Sequence, residues 1–212
     1  MAKETHFYKL LVEGKNDMHV ILSFCQYYDI NENFDIIPCD SIDNVLKELR
    51  IRLTIPANNK RIGIIVDADN NISGHWQSIH NILTETGYYN LQAIQLHANG
   101  AIVDSHDMYK PRVGVWIMPN NKLPGMLEDF IISLSSDNDP LMKRAGEVLD
   151  ALEKDGIQNY KKAHKSKARV HTYLAWQDEP GLPLGIAVTK KIFNPESSNA
   201  KVLVDWLKRL FL

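Results

Sequence analysis

The stretch Arg61-Ile62-Gly63-Ile64-Ile65-Val66-Asp67-Ala68-Asp69 is an apolar run that ends abruptly in two acids. Its β-branched residues predict a strand, and the helical spacing of Ile79, Ile82 and Leu83 in the segment His75 to Glu85 predicts a helix after it. The same unit precedes it. His6 to Glu13 has strand character and leads into a helix-like segment, Asn16 to Tyr28. Phe34 to Cys39 forms a second short strand, and Asp40 or Ser41 can cap a helix through Val45, Leu46, Leu49 and Leu53. Downstream, Val113 to Met118 is a fourth strand, closed by Pro119, and a helix opens in Gly125-Met126-Leu127-Glu128-Asp129-Phe130.

Strands that alternate with helices imply a mainly parallel sheet covered on both faces. The expected fold is α/β, a Rossmann-like four-stranded sheet in residues 1–135. A helical extension in residues 136–212 is expected to pack on it as one unit, with helices from Pro140 to Lys154, Tyr160 to Gln177 and Ala200 to Phe211. Leu91 to His97 and Ala101 to Val103 flank Asn99-Gly100, a dipeptide suited to a tight hairpin at the sheet's rim. Trp116, Trp176 and Trp206 are expected in the core.

Chemistry is carried by two acidic turns, Val12-Glu13-Gly14-Lys15-Asn16-Asp17 and Val66-Asp67-Ala68-Asp69. Strand-to-helix turns lie at the carboxyl edge of an open α/β sheet, where such folds bind ligands, so acids fifty residues apart in sequence can meet there. Two carboxylates ~4 Å apart repel by about 4 kcal/mol at an effective dielectric near 20, which favours protonation unless a dication lies between them. Ligands made only of oxygen suit magnesium, manganese or calcium. Taken singly, each of these acids has an ordinary explanation as a helix-capping or loop residue.

The 212 residues carry a formal net charge of -2, with 44% hydrophobic and 24% charged residues, which suits a single globular unit rather than a disordered chain. The chain lacks a run of eighteen apolar residues and a leader-like amino terminus, so a cytoplasmic location without membrane contact is expected. Cys25 and Cys39 form no CxxC pair and fit reduced core residues. Between Tyr160 and His171, Lys161, Lys162, Lys165, Lys167 and Arg169 occur without an acid. Lys161, Lys165 and Arg169 share one face at helical spacing, which suits either a solvated face or contact with a phosphate backbone.

Together, a strand ending in Glu-Gly with Asp four positions after the Glu, and a later strand ending in Asp-x-Asp, resemble the Toprim domain. That domain is shared by topoisomerases, bacterial-type primases and nucleases of the overcoming-lysogenization-defect family. Val-Gly-Val-Trp-Ile-Met-Pro followed by Gly-Met-Leu-Glu-Asp-Phe resembles small standalone Toprim-like proteins of unassigned function. The resemblance covers roughly the first 135 residues. It implies a nuclease that cleaves phosphodiesters with Mg2+ or Mn2+, acting in phage defence or DNA repair. Glu13 would be a metal ligand or general acid/base, Asp67 and Asp69 would bind the metal, and Asp17 would match the additional acid of the nuclease branch. Glu128 and Asp129 are candidates for a second metal position, whereas Asn120 stands where a further acid would be expected. A lysine from the C-terminal part, Lys165 or Lys167, would serve catalysis, and Lys161, Lys165, Lys167 and Arg169 would contact nucleic acid, chiefly DNA. No GxxxxGK[ST] sequence is present, so an ATPase partner would be a separate chain, and a homodimer is compatible with this reading. Two alternatives stand beside it: a catalytically silent Toprim module that binds nucleic acid or a protein, and a phosphatase-like hydrolase with an aspartyl nucleophile.

Overall fold

The computed structural model describes residues 4–56, 60–89, 95–105, 107–136 and 138–212. Five strands, β1 (Tyr8–Val12), β2 (Phe34–Pro38), β3 (Arg61–Asp67), β4 (Ala101–Val103) and β5 (Arg112–Met118), form one sheet in the order β2-β1-β3-β5-β4. The first three and β5 run parallel, with Val12 beside Ile65 and Asp67 beside Met118. The sheet therefore has five strands rather than the expected four. The additional one, β4, pairs antiparallel with β5 through Ala101 and Val115. The hairpin expected around Asn99-Gly100 is not formed within the described residues: Leu91 to Ile94 lie outside them, and Gln95 to His97 are not in a strand.

Alternation along each strand sends side chains to two cores. Ile62, Ile64 and Val66 of β3 and Val113, Val115 and Ile117 of β5 pack with Val45 and Leu49 of α2 (Ile42–Thr54) and Ile79 and Leu83 of α3 (Ile72–Glu85). On the opposite face, Leu10, Ile65 and Trp116 meet α1 (Lys15–Tyr27), α4 (Leu127–Ile132) and the C-terminal helices. Those helices are α5 (Pro140–Lys154), α6 (Lys165–Ala175), α7 (Leu184–Thr189) and α8 (Ser198–Phe211). Helix starts follow the capping residues, since Ser41, Asn71, Asp139 and Ser197 each accept a first-turn N–H.

Helix α8 lies unusually close to the sheet. Gly63 and Gly114 are register partners, and a Cβ at Gly114 would stand 2.4 Å from a Leu210 methyl. Two glycines thus open a floor that Leu210 and Phe211 fill. Helices α5 to α8 share one continuous core with the sheet. The segment expected as one helix from Tyr160 to Gln177 is a short 3-10 turn, Lys162–His164, followed by α6. Trp116 and Trp206 are buried, but Trp176, just past the end of α6, is 40% exposed and is not a core residue.

Candidate active site at the carboxyl edge of the sheet

Three turns bring acids to one place. Glu13 follows β1, Asp67 ends β3, and Glu128 opens α4 beyond β5, while Asp17 lies in the first turn of α1. These four carboxylates line one pocket of about 400 Å3 with Lys15, Asn16, Asp40 and Lys167. Backbone groups hold one oxygen of Glu13, Asp67 and Asp17. The Asp67 N–H donates to Glu13 Oε1 at 2.8 Å, the Leu127 N–H donates to Asp67 Oδ1 at 2.8 Å, and the Gly14 N–H donates to Asp17 Oδ2 at 3.0 Å. Asp17 Oδ1 is buried with no hydrogen-bond partner.

Crowding and desolvation perturb this group strongly. Burial raises the Asp67 carboxyl to about 9, with repulsion from Asp17, Glu13 and Glu128 adding to it. Burial likewise lifts Glu13 to about 7, partly offset by the Asp67 N–H and reinforced by Asp17 and Asp69. Asp17 rises to about 6 by burial, despite its own backbone hydrogen bonds, with Glu128 adding to the rise. Shifts of this kind concentrate at functional sites, because a fold gains nothing structurally by gathering acids in a low-dielectric cleft. Lys167 Nζ approaches Glu128 Oε1 at 3.4 Å; the lysine is half exposed, whereas the glutamate side chain is 4% exposed.

The other expected site residues are placed differently. Asp69 is exposed and does not line the pocket. Its backbone, at φ 46°, exchanges two hydrogen bonds with Gly125, so its role is to join the turn after β3 to the start of α4. Asp129 faces away, accepting from the Met126 N–H and the Ser166 hydroxyl. Asn120 Oδ1 accepts from the N–H groups of Lys122 and Leu123, and forms a turn. Lys165 is engaged by Asp150 and Glu153, and Arg169 donates to the Met142 carbonyl. Lys161 is exposed but precedes α6, so Lys161, Lys165 and Arg169 do not form a free stripe on one helix. Lys167 is the basic residue of that segment that reaches the acids.

Several participants had no signal in the sequence. Lys15 and Asp40 line the pocket, and Asp40 holds φ at 69°, a conformation that non-glycine residues adopt rarely. Ser166 reaches Asp129 from the second position of α6. Among the described residues, no three His, Cys, Asp or Glu side chains are gathered around one point closely enough to hold an ion as they stand. Also among them, no helix is long and apolar enough to cross a membrane.

The family described as "Protein of unknown function (DUF3226)" matches residues 8–212, both the sheet and the helices that follow it. The chain belongs to that family. No curated protein and no solved structure matches it. Membership of the DUF3226 family thus spans Glu13, Asp67, Glu128 and Lys167 alike, and assigns chemistry to none of them.

Proposed function

We propose that the chain is a Toprim-like phosphodiesterase that cleaves nucleic acid, DNA in the first instance, with Mg2+ or Mn2+ as cofactor. The observation that carries this reading is the convergence of Glu13, Asp17, Asp67 and Glu128 in one pocket, where burial and mutual repulsion hold three of them above the usual carboxylate range. The donor set fits a hard dication. It is all oxygen, it includes an unpartnered buried Oδ1 on Asp17, and it carries negative charge that Lys167 and the exposed Lys15 of the same lining offset. Among the described residues these side chains are not gathered closely enough to hold an ion as they stand, so binding would draw them inward.

When bound, the ion would polarise a phosphoryl oxygen and make a water acidic enough to attack. The chain's own residues do the rest. Asp67 is held by the Leu127 N–H and Glu13 by the Asp67 N–H, which fixes one oxygen of each at the sheet edge. Glu13, beside the ion at the sheet edge, would hold it or take and return a proton. Lys167 is placed to offset charge on the leaving oxygen. A separate ATPase chain remains part of this reading.

Thermal melts with EDTA and with excess Mn2+ test the site first. A ligand at 100 times its dissociation constant adds about 2.7 kcal/mol, which for a chain of this length is roughly 5 to 10 °C. Plasmid and oligonucleotide cleavage by wild type, Glu13→Gln and Asp67→Asn tests the chemistry. Cleavage that survives both substitutions overturns the assignment. Cation-dependent stabilisation without cleavage of any DNA or RNA supports a silent binding module instead.

A further inference from the structure

We propose that Ser166 is a positioning residue for this site: its hydroxyl, hydrogen-bonded to Asp129, locks α6 to α4 and so holds Lys167 and Glu128 opposite each other. The proposal rests on the dication reading above. Ser166 Oγ donates to Asp129 Oδ1 at 2.5 Å, across 37 positions of sequence. Asp129 Oδ2 accepts the Met126 N–H at 2.9 Å, which fixes the first turn of α4.

That turn makes two contributions to the pocket, the Leu127 N–H on Asp67 and the buried Glu128 carboxylate. On the other side of the link, the residue after Ser166 is Lys167, 3.4 Å from Glu128. One hydroxyl therefore stands between the element that carries the acid and the element that carries the base. The approach is built into the backbone as well. Gly125 has φ of +137°, and a Cβ there would lie 2.7 Å from Asp129 Oδ2, so only glycine lets the Asp129 carboxylate seat. Groups that orient metal ligands from behind typically change metal affinity by about 10- to 100-fold when removed.

The test is a Mn2+ titration followed by protein fluorescence or electron paramagnetic resonance, with Asp67→Asn as the ligand control. Ser166→Ala is expected to weaken the Mn2+ midpoint roughly tenfold, and Ser166→Thr, which keeps the hydroxyl, to restore it. Thr and Val have nearly the same shape, so Ser166→Val against Ser166→Thr separates the hydroxyl from helix stability even where Ser166→Ala folds poorly. A Ser166→Val midpoint equal to that of Ser166→Thr overturns the positioning role, as does a Ser166→Ala midpoint within about twofold of wild type. If wild type itself binds no Mn2+, the dication reading fails and the positioning role fails with it. If wild type binds, Asp67→Asn does not, and the Ser166 variants match wild type, the positioning role alone falls.

Discussion

Without a divalent cation the folded chain should lose stability as pH rises, and Asp67→Asn should remove most of that loss. The unfolded chain ionises its carboxyls near pH 4, whereas the folded chain holds Asp67 protonated to about 9 and Glu13 to about 7. The native state therefore binds more protons than the unfolded state between these limits, and stability falls with increasing pH. Asp67 alone accounts for about one excess proton from pH 6 to pH 8, or about 1.4 kcal/mol per pH unit and roughly 3 kcal/mol across the range. Partly buried Glu13 adds less, because it gives up its proton within that range. For a domain of this size the melting temperature should drop by about 6 to 12 °C over that range. In Asp67→Asn, the amide oxygen can still accept the Leu127 N–H, and the charge is gone. Melts in EDTA at both pH values, wild type against variant, measure the difference. Equal slopes for the two proteins would refute the electrostatic account of the pocket, and saturating Mn2+ should flatten the wild-type slope only.

Four other perturbations follow from the packing. Gly125→Ala forces a Cβ onto Asp129 Oδ2 at positive φ and should cost about 2 kcal/mol or more, visible as a melting temperature lowered by at least 4 °C. Lys167→Met should cost roughly 1 to 3 kcal/mol, because the buried Glu128 loses the cation beside it, and should abolish any cleavage, as parallel melts and assays would show. A fragment ending at Ser135 loses the buried Leu203, Trp206, Leu207, Leu210 and Phe211, worth at least about 8 kcal/mol of burial, and should show no cooperative melt by circular dichroism. Burial raises the thiols of Cys25 and Cys39 to about 12 and about 11, so alkylation at about pH 8 should be far slower than for a free thiol, as mass spectrometry would show.

The alternation of apolar runs with helical periods gave the parallel arrangement of β1, β2, β3 and β5, because buried parallel strands and their covering helices each leave a periodic trace. Glu13 and Asp67 were legible for a related reason: an acid that ends an apolar run can only sit at a strand tip. Spacing failed where a partner is remote. Lys165 has the helical spacing of a basic face, but its charge is taken by Asp150 and Glu153 on α5, a contact that no local pattern records. Asp69 follows the acid pattern and yet turns outward, since its backbone is bound to Gly125. Gly100 marked a turn, but the space it leaves is filled by Trp206, whose ring would lie 2.3 Å from a Cβ there.

Two of the groups that shape the pocket come from beyond residue 135, which changes how the extension should be understood. The four acids belong to the sheet half of the chain, and without Lys167 the pocket lining would keep the exposed Lys15 as its cation and the buried Glu128 would lose the one beside it. Taking a carboxylate out of water costs several kcal/mol unless a charge partner or an ion compensates. The helices that cover Gly63 and Gly114 also carry α6 to the sheet edge, so the packing that completes the core and the lysine that tempers the acids arrive together. A bare sheet half would retain the repulsion and lose both compensations, and for that reason the acids and the extension form one functional unit.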